Sequence, residues 1–424
     1  MLDRSHKKDP YTLVMLTLDA HSIGSVERIK SRFSKIYPEL EIIVHAAASW
    51  EEDPSSLLKT KEDLARANMV LITLVFLEDH ISAILPDLKK ARENCDLMLG
   101  LVSSKEIVNL TKMGGLDLSK PSSGVLKFLK KLRGDKNKVT GGEKQMAILR
   151  QIPKILKFIP GKAQDLRAYF LSMQYWLAGS EENIESLFCY LLSRYSSLHN
   201  SLKIEIKSPV EYPETGLYHP DLPKKITENI SEIPFAKHSI GTVGLLLMRS
   251  YVLSGDTAHY DQVIRSLEAQ GLKVIPAFAA GLDARPAIDK YFVQNAKASI
   301  DTFLSLTGFS LVGGPAYNSS KAAEEALAEL DVPYIAAHAI EFQNLNQWDK
   351  SDGGLNPIET TILVSLPELD GATNPTVFGG RLGEEGGCSC CVHLRTGNEK
   401  AFDMVPCYER IKSLSEKTRR LVKL

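Results

Sequence analysis

The sequence predicts an α/β protein with two doubly wound parallel-sheet regions, joined by a helical and proline-rich connecting section. Apolar runs alternate with amphipathic segments over residues 1–160, and such runs are typical of parallel strands covered on both faces. The same alternation resumes after Thr242, with a spacing of about 30 residues, the length of a βαβ unit. Between the two regions, five prolines within Ser208–Pro234 exclude a core helix.

The first region, residues 1–160, contains four predicted strands. The first strand is followed by the polar turn Asp19–Ser25 and by an amphipathic helix that runs to about Tyr37. The strands are predicted at Tyr11–Leu18, Glu41–Ala46, Asn68–Phe76 and Asp96–Val102. Strands and helices that alternate in this way indicate a parallel sheet between two helical layers.

The connecting section, residues 161–235, begins with two predicted helices. Asp165–Gly179 and Glu181–Tyr195 both show helical spacing of apolar residues, and Ser180 between them is a predicted N-cap. The proline-rich stretch Ser208–Pro234 that follows is predicted to be a connecting strip.

The second region, residues 236–424, is predicted to contain four more strands and to end in a basic helix. Residues 353–381 are rich in glycine and contain two Asn-Pro pairs, which favour turns. We interpret them as an irregular loop system, and such loops commonly carry functional sites. The predicted strands are Val243–Met248, Lys273–Phe278, Thr302–Thr307 and Val332–Ala337, with helices at Thr257–Gln270 and Ala284–Asn295.

Charged and polar side chains follow the predicted strands of the second region. In open α/β sheets ligands bind beyond the carboxyl ends of the strands, so these side chains predict a shared cleft. Arg249 is placed to pair with a substrate carboxylate, and an ion pair with Asp256 or Asp261 is the alternative. The candidate substrate-binding residues are Arg249, Asp283, Arg285, His338, Glu341 and Arg381.

A cluster near the carboxyl end contains residue types that ligate metals: Cys388, Cys390, Cys391, His393 and Cys407. Cys388 and Cys391 have the C-x-x-C spacing of zinc and iron–sulfur sites. The rest of the cluster lacks a second pair, and the flanking residues are typical of a mobile loop. We therefore predict an exposed loop with free thiols and no metal, with a metal site as the alternative.

Charge and composition exclude several classes of protein. The 51 Lys and Arg residues balance 52 Asp and Glu residues, without the concentrated positive charge that nucleic-acid binding needs. Basic clusters at Lys127–Lys138 and Lys412–Lys423 are predicted to be solvated helix faces, or alternatively docking surfaces for an acidic partner. We predict no signal peptide, because the start of this sequence is polar, and no membrane span, because no apolar run is long enough. We expect a cytoplasmic protein without a nucleic-acid partner.

Several long motifs resemble the large porphyrin-binding subunit of magnesium chelatase, which is related to the cobaltochelatase large subunit. They lie at Gly216–Pro220, Val243–Phe292, Leu306–Asn318 and 353–381. Residues 1–160 resemble the amino-terminal extension of the magnesium enzyme. Because the large subunit in this family is several times longer, we expect an amino-terminal piece of it, in which Leu382–Lys400 resembles an insertion with unusual cysteines.

The resemblance implies a function in (bacterio)chlorophyll biosynthesis. Protoporphyrin IX would be the macrocyclic substrate and Mg²⁺ the metal substrate. The expected partners are an ATPase motor subunit and a bridging subunit. ATP would be hydrolysed by the motor subunit, since this chain lacks the G-x-x-x-x-G-K-S/T motif of P-loop proteins. By itself the chain is expected to be inactive.

The catalytic residues stay unassigned. Metal insertion needs a carboxylate or an imidazole to accept the pyrrole protons, and the available carboxylates are Glu341, Glu359, Glu368 and Asp370. The last two lie in P-E-L-D-G, which also fits a structural turn. Two other functions remain open: a cobaltochelatase fragment that acts on a corrinoid, and a non-catalytic tetrapyrrole-binding or assembly module.

Overall fold

The structure is a computed structural model that describes residues 10–18, 20–50, 54–120, 152–153, 155–198, 204–236, 238–281, 283–314, 317–383, 386, 388–391 and 403–422. The chain divides into two compact units, Met1–Glu211 and Tyr212–Leu424. The predicted basic cluster Lys127–Lys138 and His393 lie outside the described residues. The α/β class predicted from the sequence is confirmed, because each unit is built on a mainly parallel sheet.

The first unit contains a six-stranded sheet. Its strands are β1 Tyr11–Thr17, β2 Leu40–Ala46, β3 Met69–Thr73, β4 Leu97–Leu101, β5 Lys112–Met113 and β6 Leu116–Asp117. They lie in the order β2-β1-β3-β4-β5-β6. The first four strands in the chain are parallel, and β5 and β6 extend the edge in antiparallel fashion. Every residue of β1, β3 and β4 is buried, as their continuous apolar sequences require.

Helices cover both faces of this sheet. One apolar core contains Met15 and Leu99, and the core on the opposite face contains Val14 and Met98, because successive strand residues point to opposite faces. The helices are Ala20–Ile36, Ala47–Trp50 (3₁₀), Pro54–Ala65, Glu78–Asn94, Lys105–Val108, Lys162–Ala178 and Glu181–Tyr195.

The last two helices of the first unit confirm the predicted N-cap at Ser180. Gly179 adopts a left-handed conformation with φ of 66° and ends the helix Lys162–Ala178. The Ser180 hydroxyl then accepts a hydrogen bond from the backbone N–H of Asn183 at 3.2 Å, which starts the helix Glu181–Tyr195.

The second unit contains an eight-stranded sheet and two separate hairpins. The sheet strands are β7 Thr215–Tyr218, β8 Ile226–Thr227, β9 Gly241–Met248, β10 Leu272–Ala279, β13 Thr302–Ser305, β16 Tyr334–Ile340, β17 Thr373–Arg381 and β18 Met404–Pro406. The hairpins are formed by β11 Val293–Gln294 with β12 Lys297–Ala298, and by β14 Gly313–Gly314 with β15 Tyr317–Asn318. The sheet has the order β18-β17-β16-β13-β9-β10-β7-β8. Its five central strands, β17, β16, β13, β9 and β10, run parallel, and the three outer strands run antiparallel to their neighbours.

The helices of the second unit include the predicted carboxyl-terminal basic helix, at Tyr408–Leu421. Residues 357–369 form a continuous helical segment whose centre, Thr360–Ser365, is a π-helix, and we call this segment the helical strap. The helices are Ile230–Glu232 (3₁₀), Arg249–Ser254, Ala258–Ala269, Arg285–Tyr291, Ser320–Leu330, Leu345–Asp349, Pro357–Glu359, Leu366–Leu369 and Tyr408–Leu421.

Two sequence interpretations of the second unit are wrong. The stretch Ser208–Pro234 is more than a connecting strip, because it supplies the antiparallel edge strands β7 and β8. Residues 353–381 are not irregular throughout, because they form the helical strap and β17. Proline is tolerated in β17 because irregular pairing with β16 interrupts the ladder near Pro375.

The helix predicted at Ala284–Asn295 is shorter than expected. It spans Arg285–Tyr291 and gives way to the β11–β12 hairpin. Asn295 and Ala296, the two residues of the hairpin loop, have φ of 52° and 58°. Positive φ at both positions matches the right-handed twist of a two-residue hairpin, although neither residue is glycine.

Within the described part of the chain, none of the helices has both the length and the apolar character that crossing a bilayer requires.

Candidate functional site

The carboxyl ends of the five parallel strands of the second unit lie along one edge of the sheet. Strand order reverses between β9 and β13, because β10 lies on one side of β9 and β13 on the other. Ligands of open α/β sheets bind at such a reversal, beyond the strand ends. All six predicted site residues lie in or after these strands, so the topology places them along this carboxyl edge.

Arg249 follows β9 directly and is the first residue of the helix Arg249–Ser254. Its Nε donates to the carbonyl oxygen of Pro213 at 3.1 Å, and its Nη2 donates to that of Tyr212 at 3.3 Å. These bonds hold the half-buried guanidinium at the sheet edge.

The two acids proposed as alternative partners of Arg249 have other hydrogen bonds. The Asp256 carboxylate accepts from the backbone N–H of Met404 at 3.0 Å, and Asp261 accepts from the Tyr218 hydroxyl at 2.6 Å. Asp256 therefore binds the backbone of β18, and Asp261 binds a side chain of β7.

Asp283 and Arg285 pair with each other after β10. The Arg285 Nη2 and the Asp283 Oδ2 are 2.6 Å apart, and the Arg285 backbone N–H also donates to Asp283. The guanidinium holds the pKa of the Asp283 carboxyl below its usual range. Both side chains are partly exposed, so an external anion would compete with a local partner for Arg285.

Glu341 begins a turn beyond β16, and the Arg381 side chain binds the backbone of the same turn. The backbone N–H groups of residues 341–343 donate to the Glu359 Oε1 at 3.2, 3.0 and 3.2 Å, and the Arg381 Nη2 donates to the Phe342 carbonyl at 2.8 Å. Burial raises the pKa of Glu359, and the three backbone donors oppose this shift. Burial and the nearby Glu341 carboxylate raise the pKa of Tyr251, which lies in the helix that Arg249 begins.

His338 lies in β16 with 1% of its surface exposed. Among the described residues its Nδ1 has no hydrogen-bond partner, and burial lowers the pKa of the imidazole to about 4. The side chain lines a crevice of about 140 Å³ beneath the helical strap, together with Leu363, Glu368 and Thr373. This volume includes space that is open to solvent, and no water-sized molecule fits inside the crevice. This crevice by itself is therefore too small for a macrocycle.

Asp370 and Glu359 act as clamps in this structure. Asp370 is buried, and it accepts from the Ser310 hydroxyl at 3.1 Å and from the Leu311 N–H at 2.8 Å. The P-E-L-D-G segment thus supplies the structural carboxylate expected of a turn, whereas its Glu368 is exposed at the rim of the crevice. The clamping role of Glu359 was not predicted, because an acid in an apolar helical segment does not identify the backbone groups it will bind.

The cysteine cluster is arranged differently from the predicted exposed loop. Cys388, Cys391 and Cys407 are fully buried, and the four Sγ atoms, with that of Cys390, lie within 4.8 Å of one another. Five of the Sγ–Sγ separations are between 3.3 and 3.9 Å. A tetrahedral ion with bonds of about 2.3 Å to four sulfurs needs separations of about 3.8 Å. The exposed-loop interpretation is wrong, and the four side chains can hold a metal.

Local structure brings these sulfurs together. The backbone N–H of Cys391 donates to the Cys388 carbonyl at 3.3 Å in a tight turn, and the Asp349 carboxylate accepts from the Ser389 N–H at 2.9 Å. Cys407 immediately precedes the helix Tyr408–Leu421, and its hydrogen bond with Cys388 and its burial raise the pKa of its thiol. The hydrogen bond between the two side chains lowers the pKa of the Cys388 thiol to about 5.

Comparisons with known proteins explain much of this architecture. Residues 173–424 match the family model described as CobN/Magnesium Chelatase, and residues 12–170 match a domain of unknown function (DUF3479). The chain belongs to the CobN/magnesium chelatase family. The resemblance inferred from the sequence motifs is confirmed.

Two relatives from this family illustrate the range of similarity. The chain is 54% identical to a magnesium-chelatase subunit of Cereibacter sphaeroides, over 98% of the chain and 35% of the relative. It is 28% identical to the aerobic cobaltochelatase subunit CobN of a Sinorhizobium species, over 31% of the chain and 10% of the relative. The chain therefore spans about a third of the length of the magnesium-chelatase relative.

One solved structure shares the fold of this chain. The catalytic subunit of cobaltochelatase from Mycobacterium tuberculosis is similar with a TM-score of 0.53 and 14% identity. The similarity covers 97% of this chain and 27% of that one. At this identity the likeness concerns the fold alone.

The sulfur cluster leads to a prediction about metal content. Four thiolates suit Zn²⁺ or iron, and an iron–sulfur core would require the sulfurs to move apart. We expect the chain, purified anaerobically under reducing conditions, to contain zinc or iron in stoichiometric amount by elemental analysis. Absorbance between 300 and 420 nm distinguishes an iron–sulfur cluster from zinc.

The matched variants are Cys407→Ser and Cys189→Ser. Cys189 is a buried free cysteine of the first unit, so its substitution controls for the loss of a buried thiol. Cys407→Ser should remove most of the bound metal, and Cys189→Ser should leave it unchanged. A metal-free wild-type chain, or equal metal content in both variants, would show that the cluster is a packing feature.

Proposed function

We propose that this chain is part of the subunit that binds protoporphyrin IX for ATP-dependent insertion of Mg²⁺ in (bacterio)chlorophyll biosynthesis. The observation that carries the proposal is the 54% identity to a magnesium-chelatase subunit over 98% of the chain. Mg²⁺ is a substrate, and ATP is hydrolysed by an ATPase motor subunit that acts with a bridging subunit. The complex would work in the cytoplasm.

Within this function the chain would supply one wall of a porphyrin cavity. The carboxyl edge presents the guanidinium groups of Arg249 and Arg381, which are suited to the two propionates of the macrocycle. Phe342, whose carbonyl accepts from Arg381, has 47% of its surface exposed and adds apolar surface for a flat ring. Ile358, which is 57% exposed, lies on the helical strap that binds the same turn. Because the crevice near His338 is small, the remaining walls would come from other parts of the full-length protein.

The magnesium enzyme is favoured over the cobalt enzyme by the difference in similarity. A magnesium-chelatase relative reaches 54% identity over nearly the whole chain, whereas a CobN relative is 28% identical over 31% of it. The third candidate, a non-catalytic tetrapyrrole-binding or assembly module, would retain porphyrin binding. It is distinguished by the absence of chelation when a full-length protein that contains this chain is mixed with the two partner subunits and ATP.

The direct test is a titration of the chain with protoporphyrin IX. Binding is monitored by the quenching of Trp348 fluorescence, and the signal is corrected for absorption by the porphyrin. Trp348 lies in the second unit, in the short helix after β16. We expect saturable quenching that is weaker for the dimethyl ester, which lacks both propionate charges. No saturable quenching would contradict binding by this chain.

Arginine variants locate the site. Arg249→Gln and Arg381→Gln should each weaken protoporphyrin binding about tenfold, since a charge-assisted hydrogen bond contributes about 1.5–3 kcal/mol before solvent screening. Arg265→Gln is the control. Arg265 lies in the second half of the helix Ala258–Ala269, where it pairs with Asp221 and Glu268. An equal loss in the Arg265 variant would contradict the proposed edge.

A further inference from the structure

The helical strap is attached to the rest of the second unit by a narrow stripe of side chains. Of residues 357–369, only Glu359, Leu363 and Pro367 are buried. They recur at intervals of four residues, so one side of the helix faces the protein. Ile358 and Leu369 are 57% and 65% exposed on the remaining surface. A segment that buries so little apolar surface is expected to open more readily than the sheet beneath it.

Two carboxylates fasten the ends of the strap to different loops. Glu359, near its start, binds the backbone N–H groups of residues 341–343 after β16. Asp370, immediately after its end, binds Ser310 and Leu311 in the loop after β13. Each carboxylate is buried and accepts its hydrogen bonds from groups of another loop, so the strap closes over the carboxyl edge at two points.

Flexible positions lie outside both fastenings. Gly354 and Gly371 have φ of 74° and 100°, values that L-residues with side chains rarely adopt. No atom lies within 4 Å of the position that a Cβ would occupy at either glycine. Between them, the strap contains a π-helical turn, a feature that is frequent at functional sites.

The closed arrangement leaves polar atoms unsatisfied. Among the described residues, the His338 Nδ1 and the Glu359 Oε2 are buried without a hydrogen-bond partner. His338 lines the crevice beneath the strap, where Leu363 packs so close to Gly308 that a Cβ at this glycine would lie 2.9 Å from the Leu363 Cδ2. Buried polar groups are normally paired, so opening of the strap would let water satisfy both atoms.

We propose that the helical strap is a lid that opens about Gly354 and Gly371 and uncovers the His338 imidazole. Opening transfers His338 from an apolar crevice to solvent at the carboxyl edge of the sheet. There a neutral imidazole can accept a proton or ligate a divalent metal ion. The lid goes beyond the proposed function and does not depend on it.

Hydrogen exchange of the unmodified chain tests the lid directly. Amides of residues 360–369 should exchange at least tenfold faster than those of β9 and β16. Their exchange should also respond weakly to low urea, because local opening exposes little surface. The proposal is overturned if the strap and the two strands exchange at the same rate with the same urea dependence.

Weakening one fastening should open the lid further. In Asp370→Asn an amide replaces the carboxylate that accepts from Ser310 and Leu311, so we expect about tenfold faster exchange in the strap with β9 unchanged. Reaction of His338 with diethyl pyrocarbonate, read from its peptide by mass spectrometry, should accelerate by a similar factor. The control is Asp289→Asn, at an exposed acid of the helix Arg285–Tyr291.

Unchanged exchange and unchanged His338 reactivity in Asp370→Asn would overturn the proposal, as would acceleration across the whole second unit. If that variant does not fold, the exchange pattern of the unmodified chain decides the question, because it requires no substitution.

Discussion

Replacing Gly379 with alanine is expected to lower the free energy of unfolding of the second unit by about 3 kcal/mol, at the upper end of overpacking effects. A Cβ at this position would lie 2.6 Å from the carbonyl oxygen of Val405 and 3.3 Å from the Cβ of His259. The first of these atoms belongs to the backbone of β18, so no side-chain rotation relieves the clash. Gly379 pairs with both β16 and β18, so the backbone movement that relieves the clash would disturb the hydrogen bonds to both neighbouring strands.

The measurement is pulsed hydrogen exchange with mass spectrometry at increasing urea, which reads the peptides of the two units separately. In Gly379→Ala, the urea concentration at the unfolding midpoint should fall for peptides of β16 and β17. It should not fall for peptides of β1 and β3. Gly353→Ala is the matched control, because its nearest neighbour would be the Ser351 Oγ at 3.9 Å and the site is exposed. Its effect should stay within about 0.5 kcal/mol. Equal midpoints for the two alanine variants would contradict the packing argument.

The second unit is expected to lose stability on mild acidification because of His338. Burial depresses the pKa of His338 from 6.5 to about 4 in the folded state. The unfolded chain therefore binds the proton first, and the stability contribution, complete above pH 6.5, is lost as the pH falls toward 4. The full contribution is about 3 kcal/mol, of which about 2 kcal/mol is lost by pH 5.

The effect of His338 is separated from that of the other titrating groups by comparing how the unfolding free energy of wild type and of a His338 variant changes with pH. Burial raises the pKa of Glu359 and Asp370, so their contributions change with pH in the opposite direction. His338→Gln removes the imidazole but retains both carboxylates. The difference in unfolding free energy between wild type and variant should shrink by about 2 kcal/mol between pH 7 and pH 5. A difference that does not change with pH would show that His338 is not buried in the neutral form.

The parallel strands were predictable because their side chains are buried on both faces. Tyr11–Leu18 and Asn68–Phe76 predicted β1 and β3 to within a few residues, since continuous apolar runs bounded by polar turns allow few other structures. The edge strands were not predictable. β7 and β8 are only four and two residues long and lie in a proline-rich stretch, and they become strands because β7 pairs with β10 and β8 pairs with β7.

The position of the candidate site was predictable but its contacts were not. The rule that ligands gather beyond the strand ends led to Arg249 and Glu341 from sequence order alone, whereas Arg381 was predicted as the end of a loop system. Whether a charged group has a local partner depends on atoms distant in the sequence. Asp283 pairs with Arg285 two residues away, whereas Asp370 binds Ser310, sixty positions earlier. Nothing in the local sequence around Asp370 or around Ser310 predicts that these two residues bind each other.

The sequence by itself determined the α/β class, the family and the edge of the sheet where chemistry is expected, because periodicity, motifs and strand order are properties of the linear chain. Tertiary structure alone decided that Gly379 is needed for the close approach of β18, that Glu359 and Asp370 fasten the helical strap, and that four cysteine sulfurs meet. These features depend on distances of a few ångströms between remote segments. Such distances are set only when the elements pack.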